Sequence, residues 1–126
     1  MAIYSGTGSG TSGAITVGDL MVWLLDDMGM LIYDGTNTGT VDSSLTDISL
    51  RPTADTDELL MGAWAYIYAG AAGSAAIGNE RITTAYTAST GLTAVESVFG
   101  AALTTAAKYL ITRIRPTTVL RALQRA

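Results

Sequence analysis

Residues 63–68, AWAYIY, alternate strictly between an aromatic side chain and a small or aliphatic one. Successive side chains of a β-strand point to opposite faces. Trp64, Tyr66 and Tyr68 therefore share one face, and Ala63, Ala65 and Ile67 share the other. Three aromatics on one face carry too much apolar surface to stand in water, so that face lines a core or an interface. The stretch ERITTAYTASTG at residues 80–91 repeats the period: Ile82, Thr84 and Tyr86 alternate with Arg81, Thr83 and Ala85. ASTG then supplies a turn, with Gly91 suited to positive φ. The chain returns as LTAVESVF, with Thr93, Val95 and Phe99 on one face, and KYLITRIR forms a further strand ending at Pro116. MLIYDG is a short strand closed by an Asp34–Gly35 turn, and one more short strand is expected around Thr40–Leu50. Fourteen glycines and abundant Thr, Ser and Ala point the same way, because they favour strands and turns over long helices.

Two segments carry the helical period instead. From Thr16 to Met28, Val17, Leu20, Met21, Leu24, Leu25 and Met28 form an apolar stripe. Thr16 caps the helix with Asp19 three residues on, and Gly29 stops it. Asp19, Trp23 and Asp26 occupy the opposite face, where Trp23 is either a docking anchor or covered by a loop. At the other end TTVLRALQRA reads as a helix capped by Thr117 or Thr118, with Val119, Leu120 and Leu123 apolar and Arg121 and Arg125 together on one side. This helix breaks off in mid-pattern, as expected for a segment of a longer product or a tail that needs a partner. The fold expected is mainly β within the α+β class: a small antiparallel sandwich or barrel with an N-terminal helix and a short C-terminal one. Residues 1–15, dominated by Gly, Ser and Thr, read as a flexible arm. Residues 16–126 form a single domain, in keeping with the chain length of 126.

The chain has no Cys and no His. That removes thiol nucleophiles, the usual zinc ligands and the side chain most used for acid–base work near neutrality. A formal G-x-G-x-x-G at Gly8, Gly10 and Gly13 lacks the preceding strand and the βαβ pattern of a dinucleotide site, so the arm is low-complexity chain. Asp55, Asp57 and Glu58 do not have the spacing of an EF-hand loop and read as a solvated turn. No phosphate-binding loop and no serine nucleophile elbow is present. The sequence therefore nominates no catalytic residue, cofactor or metal ligand. Leu59 to Asn79 is uncharged and long enough to span a bilayer, but Ala and Gly dominate it, and it reads as a strand plus a loop. The N-terminus lacks the basic start and apolar core of a signal peptide.

Charge is divided along the chain. Residues 1–60 carry nine acidic groups against Arg51, whereas residues 61–126 carry Lys108 and five Arg against Glu80 and Glu96. Such a division suits solvated faces, or subunits that meet acidic side to basic side. Asp19, Trp23, Asp26, Arg121 and Arg125 are accordingly the candidate interface residues. The C-terminal cluster of basic residues allows DNA to lie nearby, but without interleaved aromatics or a nucleic-acid module it gives no specific recognition.

From about Gly35 to Arg115 the chain resembles a β-rich module of virion structural proteins of tailed bacteriophages, especially neck, connector and tail-appendage components. The resemblance runs through Gly35-Thr36 to Thr40, Leu59 with AWAYIY, and Gly70, Gly73 and Gly78. It continues through Arg81-Ile82, Tyr86, Ser89-Thr90-Gly91, Phe99, AALTTAA and Tyr109-Leu110-Ile111. It implies a non-enzymatic virion protein, assembled in the host bacterial cytoplasm, whose partners are copies of itself and other virion proteins. A neck or head-to-tail collar that forms a homo-oligomeric ring is the leading expectation. A receptor- or carbohydrate-binding appendage using Trp64, Tyr66 and Tyr68, or a capsid decoration module, is the alternative.

Overall fold

The computed structural model describes residues 16–41, 43–47, 61–70, 76–87 and 89–125. The expected N-terminal arm and the acidic turn at Asp55, Asp57 and Glu58 lie outside them. The elements follow the order α1 (Val17–Asp27), β1 (Leu31–Thr36), β2 (Ser44–Thr46), β3 (Trp64–Ala69), β4 (Glu80–Thr87), β5 (Leu92–Val95), β6 (Lys108–Thr112) and α2 (Pro116–Arg125). The strands form one antiparallel sheet in the order β1-β6-β3-β4-β5-β2, curled into a half-barrel with a helix at each end of the chain.

The period-two pattern of β3 sets the two layers. Ala63, Ala65 and Ile67 face the concave side, where they pack with Leu45, Tyr86, Phe99, Leu103, Tyr109 and Ile111. Tyr66 and Tyr68 face the other side and pack with Leu110 against Met21, Val22 and Leu25 of α1 and Val119 of α2. The aromatic face is thus the floor of a helix layer. Among the described residues no helix is long and apolar enough to cross a membrane, and Trp64–Ala69, inside the uncharged stretch, is a strand.

Polar groups draw the sheet edges together. The Thr38 amide donates to the Thr46 carbonyl (2.7 Å), and the Asn37 side chain accepts from the Thr46 amide (2.9 Å). The same Asn37 amide group donates to the carbonyls of Gly39 (2.6 Å) and Thr104 (2.9 Å), so this fully buried side chain satisfies its hydrogen bonds. Beyond it, the Tyr109 hydroxyl of β6 donates to the Asp47 carboxylate just after β2 (2.8 Å). Gly35 makes that approach possible. A Cβ there would collide with Asp47 and the Tyr33 ring and would sit 3.2 Å from the Tyr109 hydroxyl.

Several local expectations change. Asp34–Gly35 is not a turn. Both residues lie within β1, paired with Leu110 and Tyr109, and Gly35 is there because there is no room for a side chain. The alternation in β4 breaks at a register shift between Thr83 and Ala85, so Thr83 and Tyr86 are buried while Thr84 and Ala85 are exposed. One extra residue on a bulged strand reverses the phase of every side chain after it. The strand expected over LTAVESVF ends at Val95, and the one expected over KYLITRIR ends at Thr112, although Phe99 still reaches the concave core. Gly91 closes the β4–β5 turn at φ 70, as its sequence context predicts.

The α1 cap forms as read. The Thr16 hydroxyl accepts from the Asp19 amide (3.1 Å), the Asp19 carboxylate accepts from the Thr16 amide (2.9 Å), and Gly29 ends the helix at φ 72. Its buried face, however, is Met21, Val22 and Leu25, leaving Val17, Leu20 and Met28 exposed. Gly18 explains the rotation. The Tyr68 ring lies where a Cβ at position 18 would stand, 2.6 Å from Cδ2, so Gly18 and its neighbours one turn on face the sheet. In α2 the helix starts at Pro116 rather than after Thr117 or Thr118, and the cap comes from another element. Glu80 on β4 accepts from the Thr117 amide (3.0 Å) and hydroxyl (3.3 Å) and from Arg115 Nε (2.5 Å). Pro suits a first helical position because no amide partner is needed there.

Candidate assembly surface on the helix layer

α1 and α2 lie beside each other on the convex face of the sheet and share one apolar cluster. This brings the candidate residues from the two ends of the chain onto one layer. Asp19 has a structural duty in the α1 cap. Trp23 is partly buried and packs at the margin of the helix cluster, and Asp26 is exposed. Arg121 and Arg125 are exposed on α2, one turn apart, and neither makes an ion pair among the described residues.

The acidic side is larger than the sequence reading had it. Asp34 of β1 lies with Asp19 near Tyr68, and Asp26 lies near Asp34. The Asp34 side chain reaches solvent, yet lost hydration beneath the helix layer raises its carboxyl pKa above the ordinary 3.8. The charge of Asp26 raises it further, against smaller opposing effects of its own backbone and of Lys108. The Tyr68 hydroxyl is pushed up to about 12, first by burial, then by the charges of Asp34 and Asp19. No linear signal marks Asp34. Its neighbours come from the β1–β6 pairing and from the passage of α1 overhead.

The basic side has an internal anchor. The Arg115 guanidinium lies over the Trp64 ring, 5.3 Å from its centroid, while its Nε binds Glu80. Trp64 is half-buried, Tyr66 is buried and Tyr68 is held against Gly18. The aromatic row is therefore packed into the protein rather than presented as an open stacking platform. Arg81, in the stretch ERITTAYTASTG, is also a fold residue. It donates to the carbonyls of Val98 (2.9 Å) and Glu80 (2.7 Å) and to the Asn79 side chain (3.1 Å), with its guanidinium over Phe99. No group of three or more acidic residues among the described residues is placed to hold a metal ion.

Comparison with protein-family models, with curated proteins and with solved structures finds no match to the chain.

Proposed function

We propose that this chain is a non-enzymatic structural subunit of a tailed-phage virion, a neck or head-to-tail component that assembles into a ring of identical copies. The observation that carries this reading is the division of charge across one helix layer. Asp19, Asp26 and Asp34 gather on the α1 side, and Arg121 and Arg125 stand exposed on α2. Two different, complementary patches on one subunit make a head-to-tail contact, and repetition of such a contact closes a ring when the rotation allows. The residues shared with the phage module support the same reading from the fold side. Arg81 braces a loop, Ser89-Thr90-Gly91 makes the β4–β5 turn, and Tyr109-Leu110-Ile111 is the centre of β6. Its other partners would be virion proteins above and below the ring.

Light scattering on the purified full chain tests this. Wild-type protein should run as a multiple of 13.0 kDa, and Arg121→Glu with Arg125→Glu should shift it towards monomer while the circular dichroism spectrum stays unchanged. A wild-type chain that stays monomeric at high concentration would overturn the reading. Saturable Trp fluorescence changes with glycans would favour an appendage instead.

A further inference from the structure

The exposed large apolar side chains of α1 are not scattered. Val17 (50% exposed), Leu20 (40%) and Met28 (47%), with the partly buried Leu24, recur at steps of three, four and four residues along the helix. That spacing lines them up on one face. Asp27, exposed and without an ion pair among the described residues, borders the line, and the acids around Tyr68 stand beyond it. Leu24 packs partly against the helix cluster, but among the described residues Val17, Leu20 and Met28 stay exposed, although the helix uses its neighbouring face to pack on the sheet.

Resting on the assembly reading, we propose that this line is the seat of the outward face of α2 from a second copy of the chain. The outward face of α2 consists of Thr118, Arg121, Ala122 and Arg125, all exposed. Thr118 and Ala122 are small enough to let a facing helix come close. The aliphatic stems of Arg121 and Arg125 cover apolar surface while their guanidinium groups reach its charged border. The acidic rim of α1 supplies that partner at Asp27, which borders the line. Two copies of the α1 line would instead bring like charges together, which disfavours a symmetric α1-to-α1 contact. The contact is therefore heterologous, α2 of one copy onto α1 of the next, and each copy retains one free surface of each kind for the following subunit.

The absence of native cysteine allows a direct test. One preparation carries Leu20→Cys, another Arg121→Cys, both at exposed positions that leave the core intact. Mixed and oxidised, they should form a disulfide between the two variants in preference to either homodimer, and Leu20→Glu should weaken self-association by about tenfold or more. Homodimers of the Leu20→Cys chain would overturn the heterologous contact. Wild-type protein that assembles without any mixed disulfide would overturn the seat alone and leave the assembly reading standing. A monomeric wild type would overturn both.

Discussion

At the scale of single residues, the tightest constraint is the buried pair of Tyr109 and Asp47, seated over Gly35. The Tyr109 hydroxyl is raised far above its ordinary range by burial and by the Asp47 carboxylate that accepts its proton in a hydrogen bond. Removing that donor leaves a carboxylate beneath the barrel edge short of one partner. Tyr109→Phe should therefore lower stability by about 1–3 kcal/mol, read by urea unfolding; an unchanged midpoint would show that the bond adds nothing. Asp34 gives the opposite sign. Its folded pKa is raised, so the folded state holds a proton that the unfolded state releases at the ordinary value of 3.8. Its contribution to stability is then lost as pH rises from 3.8 through the raised value. Asp34→Asn should raise the melting temperature at pH 7 and remove that part of the acid-range slope. A variant melting below wild type at pH 7 would mean that Lys108 outweighs Asp26 and burial.

At the scale of elements, each helix shows a different relation between local code and tertiary support. α1 carries its own cap in Thr16 and Asp19, and its limits follow from residues within the segment. α2 is short, and isolated helices of such length are marginal in water. It is capped from β4 by Glu80, whose side chain is only 10% exposed while that of Arg115 is 61% exposed. The Glu80 carboxylate matters for its bonds at the start of α2 more than for the exposed ion pair, since surface pairs contribute little. Glu80→Gln should cost about 1 kcal/mol, the typical value of a helix cap, with partial loss of helical signal. A Trp fluorescence change should accompany it as Arg115 leaves the Trp64 ring. Equal stability of the two proteins would argue that α2 stands on Val119 and its neighbours alone.

At the scale of the whole molecule, the curled sheet and the helix layer turn a division of charge along the chain into a division of charge across a surface. Residues near positions 19–34 and 121–125 come to lie on the same convex face because β1 and β6 pair and both helices pack on Tyr66 and Leu110. An assembly held by those patches should weaken as salt rises from about 0.05 to 0.5 M, because exposed charges are screened over a few ångströms at the upper value. Sedimentation across that range checks it. A salt-independent oligomer would place the main contact on apolar surface instead.

The sequence carried the class of the fold, the two faces of β3, the cap and stop of α1 and the Gly91 turn. Each depends on periods and caps that act within a few residues. The phase of β4 was not legible, since a bulge is decided by pairing with β5. Nor were the place of Gly35 within a strand, the rotation of α1 about Gly18 and the capping of α2 by Glu80. All four depend on contacts between segments distant in the chain. The candidate surface divides in the same way: Asp19, Trp23, Asp26, Arg121 and Arg125 could be named from helix patterns, but Asp34 and the exposed line through Leu20 emerge only once the sheet and the Tyr68 ring set how α1 lies.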